Sequence, residues 1–135
     1  MQTTKITEKY DILILGGGCS GLQLSNQLIW KIKGGVVLKN YPKILILEAR
    51  KTYTNDRTWS FWNDGSSGYC EWAANHWRQW SFSSSTDSMH FTHKSHQYEY
   101  FCLRGIDFYE RSLSLIKDSP NISIKLGVEV NKINK

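Results

Sequence analysis

Gly16, Gly18 and Gly21 fill the three fixed places of a G-x-G-x-x-G triplet, and Glu48 stands 32 residues after the first of them. In this pattern the first glycine makes a tight turn, the second lets backbone approach a pyrophosphate, and the third lets a helix lie close to a strand. An acidic residue at the end of the second strand holds a ribose through its hydroxyls. The chemistry indicated is dinucleotide binding. The phosphates would lie over the glycines and over the backbone of Cys19 and Ser20, where a helix offers free N–H groups and the positive end of its dipole. The candidate cofactor contacts are therefore Gly16, Gly18, Cys19, Ser20, Gly21 and Glu48. The separation of triplet and acid exceeds the usual value of about 20 residues, and a loop over Gly34–Pro42 has room for the excess.

Other reactive residue types are present without a pattern that organises them. His90, His93 and His96 recur every third position, with His76 upstream. On a strand such steps point to opposite faces, and no Cys or carboxylate completes a ligand set, so they read as exposed hairpin histidines and no metal site is expected. Cys19, Cys70 and Cys102 form no C-x-x-C pair, which argues against a disulfide framework and a zinc site and fits a reducing cytoplasm. No G-x-S-x-G elbow supports acyl transfer. The net charge of +5 is spread along the chain without an Arg/Lys run, so no nucleic-acid groove is expected, although a mildly basic surface is compatible with anionic lipids. We read no secretory signal and no apolar run long enough to span a bilayer.

The elements that must position the glycines and Glu48 are legible on either side of them. Ile12-Leu13-Ile14-Leu15 is an unbroken aliphatic run of the kind found in a central parallel strand buried on both faces. A helix is expected over Cys19–Lys33, with Leu22, Ser25, Leu28, Ile29 and Ile32 on one face and Gly34 as its stop. A second buried strand, Ile44-Leu45-Ile46-Leu47, ends at Glu48. Further on, Arg57–Trp62 alternates like an edge strand, Tyr69–Asn75 fits a short helix, and Trp77–Phe82 and Met89–Phe101 make a plausible antiparallel hairpin. Asp107 is the expected cap of a later helix, with Glu110 completing a capping box and Phe108, Tyr109, Leu113, Leu115 and Ile116 along the buried side. Strand-like runs follow at Ile122–Leu126, Val128–Val130 and Asn131–Lys135. Fifteen of the eighteen aromatic residues lie between Tyr53 and Tyr109, which fits either a dense small core or the wall of a pocket for a flat apolar ligand.

The order β-α-β, aromatic excursion, α-β resembles that of flavoproteins that bind FAD through a glutathione-reductase-like Rossmann domain. Within that class, Asp56-Arg57-Thr58-Trp59-Ser60-Phe61-Trp62 resembles the segment after the second strand in lycopene cyclases of the bacterial carotenoid pathway. Arg104-Gly105-Ile106-Asp107-Phe108-Tyr109, preceded by Tyr98 and Tyr100, resembles the next block of the same family. The resemblance implies an α/β fold: an incomplete FAD-binding domain of the glutathione-reductase type, with the start of an antiparallel β substrate region. Its parts are an N-terminal βαβ unit over 1–56, an aromatic-rich, substrate-facing insert over 57–104, and a returning helix and strand over 105–135.

The resemblance also implies an activity: acid-initiated cyclisation of the ends of lycopene, or a related carotenoid, to β-ionone rings. Reduced FAD is required without net redox change, and NAD(P)H is a candidate reductant. Trp59, Phe61 and Trp62 become candidates for the substrate pocket, because aromatic faces line polyene tunnels and stabilise carbocations. The family's catalytic acid is expected beyond Lys135, so these 135 residues are expected to be an N-terminal portion that is inactive alone. A cytoplasmic location, peripheral at the inner membrane surface, goes with such a substrate. The alternatives are a flavin-dependent monooxygenase or halogenase on the same cofactor domain, or a nucleotide-binding fragment without chemistry.

Overall fold

A computed structural model describes residues 6–35, 40–86, 90–94 and 97–132. The chain falls into two units, Met1–Tyr53 with Tyr109–Lys135, and Thr54–Phe108.

The first unit is built on β2, Ile44–Glu48, whose five residues are all buried. Parallel neighbours flank it, β1 (Ile12–Leu15) on one side and β8 (Ile122–Leu126) on the other, with Ile44 opposite both Ile12 and Ile122. Burial of a Leu or Ile side chain contributes roughly 1.5–3 kcal/mol, so the four aliphatic residues of β2 anchor this sheet. The expectation that β1 is the strand buried on both faces is corrected here: Ile12, Leu13 and Leu15 are 40–48% exposed. The aliphatic run makes β1 a strand, but β1 pairs with β2 along one edge only, and burial depends on what packs against a strand as well as on its composition.

Helix α1 spans Cys19–Lys33 and stops at Gly34, as its pattern predicts. Leu22, Ser25, Asn26 and Ile29 are its buried residues, while Leu28 and Ile32 are half-buried. The buried Asn26 amide donates to Ser112 Oγ at 2.8 Å and so ties α1 to α2 (Gly105–Lys117). On α2 the buried side comprises Phe108, Tyr109, Ser112 and Ile116, with Leu113 and Leu115 half-buried. After β8, Gly127 turns at φ +72°, a left-handed conformation that favours glycine. Its N–H and that of Val128 then donate to the Arg50 and Glu48 carbonyls, both at 2.9 Å. Val128–Val130 therefore closes onto the end of β2 and is not a strand of its own. Asn131 and Lys132 are irregular, and the rest of the expected final strand lies outside the described residues.

In the second unit, β3 (Thr58–Asn63), β7 (Glu99–Arg104) and β4 (Asn75–Trp77) form an antiparallel sheet in the order β3-β7-β4, and β5 (Gln79–Ser83) pairs with β6 (His90–Lys94). The expected hairpin is thus only partly realised. The Met89–Phe101 segment is two strands, and its second half joins the sheet of β3, pairing Trp62 with Tyr100 and Phe61 with Phe101. The helix expected at Tyr69–Asn75 is a single 3-10 turn over Gly68–Trp72, after which the chain extends into β4. Phe101, Leu103, Tyr69, Trp72 and Phe108 are buried, so part of the aromatic crowding is core.

The start of α2 also differs from expectation. The helix begins at Gly105, two residues ahead of Asp107, whose carboxylate instead accepts from Arg104 Nε at 2.6 Å and Nη2 at 2.9 Å. The Ile106 N–H is taken by Asn55 Oδ1 at 3.3 Å, and Gly105 N–H donates to Arg57 O at 2.7 Å. A cap supplied from a distant loop is invisible to a local spacing rule. No helix among the described residues is long and apolar enough to cross a membrane.

Candidate functional site

The three glycines of the triplet occupy three different environments. Gly16 follows β1 with φ +97°, the left-handed region, and donates to Leu47 O at 2.8 Å, which binds the turn to β2. A Cβ on Gly21 would collide with the Gly16 carbonyl oxygen and lie 3.1 Å from Ile14 Cγ2, so the absence of a side chain is what lets α1 approach β1. A Cβ on Gly18 would meet nothing within 4 Å. Gly18 is the extended residue ahead of α1 and its carbonyl accepts from Leu22 N–H at 3.0 Å. Gly16, Gly18, Cys19, Ser20 and Gly21 line one open pocket, with Leu15 and Leu24 as its apolar wall.

Glu48 is also brought to the glycine loop. Its side chain is 7% exposed; Oε2 accepts from Gly17 N–H at 2.7 Å and Arg50 Nη2 at 3.2 Å. Oε1 accepts from the Arg50 backbone N–H at 2.8 Å and Nε at 3.0 Å. The Arg50 guanidinium holds this carboxyl below the usual carboxylate range, assisted by the Arg50 and Gly17 backbone N–H groups and opposed by burial. Glu48 in turn raises Arg50. Arg50 lies over the Tyr53 ring at 4.6 Å and the Tyr109 ring at 5.2 Å, and those two rings are stacked with centroids 4.3 Å apart. Arg50 Nη2 and Tyr53 Oη both donate to Gly17 O, at 3.3 and 2.7 Å. Burial, with the Glu48 charge next, pushes the Tyr53 phenol up to about 12.

Sequence reasoning missed Arg50, Tyr53 and Tyr109. For Arg50 a signal existed: it is a cation only two residues beyond Glu48. For Tyr53 and Tyr109, 56 residues apart in the sequence, there was none.

A pH dependence follows from Glu48. A carboxyl whose folded value is depressed contributes stability that is present above its unfolded value, about 4.5, and is lost as pH falls through the folded value. The melting temperature of the wild type is expected to fall more steeply than that of Glu48→Gln on acidification from pH 6 to pH 3. Parallel pH profiles would remove the ion pair from the account.

The three substrate-pocket candidates do not share one surface, because alternate residues of a strand point to opposite faces. Trp59 packs edge-on to Phe108 at 5.0 Å and Phe61 stacks on Phe101 at 5.6 Å, so both join the buried side. Trp62 is 48% exposed on the other face, beside Tyr100 at 4.9 Å, with Trp77 beyond Tyr100 at 6.3 Å. His76 pairs with Glu99, which also accepts from Arg78 Nε at 2.6 Å. The His90 and His93 side chains, and His96 altogether, lie outside the described residues. No group of three or more His, Cys, Asp or Glu among the described residues is arranged to hold a metal ion.

No protein-family model matches the chain, and no curated protein matches it by sequence. Solved structures do match in fold. The p-nitrophenol 4-monooxygenase PnpA from Pseudomonas putida DLL-E4 superposes with a TM-score of 0.66 at 12% identity, over 92% of this chain and 33% of that one. A geranylgeranyl bacteriochlorophyll reductase-like protein from Thermoplasma acidophilum gives 0.54 at 14% identity, over 90% and 32%. The chain has a fold found within such enzymes. It is mixed α/β around a parallel sheet, and it spans about a third of the length of the structures it matches.

Proposed function

We propose that the first unit holds the adenosine-diphosphate half of FAD and that the chain is part of a flavin-dependent enzyme. The observation that carries this reading is the division of labour among the glycines: Gly16 turns in the left-handed region, Gly21 admits the helix, and Gly18, in ordinary extended backbone beside the first turn of α1, lines the pocket with open space at its Cβ position. That open space is the cradle a pyrophosphate needs, and a Cβ would fill it. Gly16, Gly18, Cys19, Ser20 and Gly21 would hold the phosphates, and Glu48 lies at the end of β2 where a ribose is held. Bound FAD would supply the flavin ring for electron transfer or for electrostatic stabilisation of a cation. Titration of the protein with FAD, followed by flavin fluorescence, is expected to show saturable binding that ADP displaces. A flavin signal indifferent to ADP would place any binding elsewhere and sink the assignment.

Within that class we propose a reaction of the lycopene-cyclase type, acting on lycopene or a related carotenoid at a membrane surface on the cytoplasmic side. Its support is the resemblance at Asp56–Trp62 and Arg104–Tyr109, two blocks that are distant in sequence but meet in the fold: Thr58 pairs with Arg104 and the Gly105 N–H bonds Arg57 O. Proton donation to an alkene needs a neutral, desolvated carboxyl. Glu48, the buried carboxylate among the described residues, is held ionised by Arg50, so this acid suits cofactor binding and not proton donation. A flavin monooxygenase is the second reading, favoured by the likeness of the fold to a nitrophenol monooxygenase. Consumption of NAD(P)H in step with product separates the two.

A further inference from the structure

Both backbone polar groups of Gly17 are held by side chains. Its N–H donates to Glu48 Oε2 at 2.7 Å, and its carbonyl accepts from Tyr53 Oη at 2.7 Å and Arg50 Nη2 at 3.3 Å. A planar trans peptide sets its C=O and N–H in opposite directions. The carbonyl of Gly17 and the N–H of Gly18 belong to one such peptide, so pulling the Gly17 carbonyl toward Tyr53 and Arg50 aims the Gly18 N–H the other way. Gly18 lines the pocket, and its Cβ position is open.

We infer that Tyr53 is a positioning residue for nucleotide phosphate: its hydroxyl, with Arg50, fixes the Gly17–Gly18 peptide so that the Gly18 N–H is presented to an anion in the pocket before any ligand arrives. This rests on the reading of the pocket as a nucleotide site. The hydroxyl is itself held in place, because the Tyr53 ring is stacked on buried Tyr109 and Arg50 lies over both rings. Donation from a cation and a phenol to one carbonyl also polarises that peptide and strengthens its N–H as a donor. The crowding at Gly17 has the same origin: a Cβ there would collide with Tyr53 Oη and lie 3.2 Å from Glu48 Cβ and Oε2. The second residue of the loop is thus a glycine because Tyr53 and Glu48 close on it.

The test compares ADP with adenosine, which lacks the phosphates. Tyr53→Phe keeps the ring stack and removes the hydroxyl, and it is expected to weaken ADP about fivefold, the scale of one hydrogen bond, while leaving adenosine binding unchanged. The Gly18 amide resonance, followed by ¹H–¹⁵N NMR, is expected to shift on ADP addition in the wild type and to shift less in Tyr53→Phe. Gly17→Ala displaces the hydroxyl by another route and is expected to weaken ADP as well. Equal ADP affinity of wild type and Tyr53→Phe, or an equal loss for ADP and adenosine, overturns the positioning role alone. Failure of the wild type to bind ADP overturns the nucleotide reading and this inference with it.

Discussion

Gly18→Val is expected to fold like the wild type and to lose the cofactor. A Cβ at Gly18 meets no protein atom within 4 Å, and the residue sits at φ −77° and ψ −168°, extended backbone that valine adopts readily. The change in stability should stay within about 1 kcal/mol, the cost of a poorer residue ahead of a helix. A valine side chain would instead occupy the space assigned to pyrophosphate. Forcing extra methyl groups into an occupied site costs about 3 kcal/mol, which is roughly two decades in Kd. Flavin retention after gel filtration and competition by ADP measure the loss, and circular dichroism melting measures the fold. Full flavin occupancy in a folded Gly18→Val protein would show that the phosphates do not lie over Gly18.

Gly21→Val is expected to do the opposite, damaging the fold first. Its Cβ would collide with the Gly16 carbonyl oxygen while Ile14 Cγ2 closes the other side at 3.1 Å. The oxygen is backbone and belongs to a turn pinned by Gly16 N–H to Leu47 O at 2.8 Å, so it cannot move without breaking the attachment of β1 to β2. Overpacking against backbone should destabilise by about 3 kcal/mol or more, a fall in melting temperature of roughly 10 °C for a chain of this size. Cofactor loss would follow from the loss of structure, so saturating ADP should recover part of the stability through linkage. A Gly21→Val protein that melts with the wild type would mean that α1 does not approach β1 as closely as described. The pair of variants thus separates a glycine kept for the ligand from one kept for the fold, although one triplet contains both.

The first two strands, the helix between them and the glycine triplet are legible in the sequence. Ile12–Leu15 and Ile44–Leu47 are aliphatic runs of strand length, Cys19–Lys33 carries helical spacing and stops at Gly34, and the triplet lies where a strand meets a helix. Those features depend on residues within a few positions of one another, and so a linear reading recovers them. What the tertiary structure alone decided depends on partners that the sequence does not place next to each other. β2, not β1, is the enclosed strand because it has a neighbour on each edge; Glu99–Arg104 leaves its expected hairpin because β3 offers a longer pairing; and α2 starts early because Asn55 caps it from 51 residues away. The site divides in the same way. Gly16, Gly18, Gly21 and Glu48 are legible as a spaced pattern, but the grip on Gly17 requires Arg50, Tyr53 and Tyr109 to converge through stacking and hydrogen bonds between segments 56 residues apart, and only packing decides such contacts.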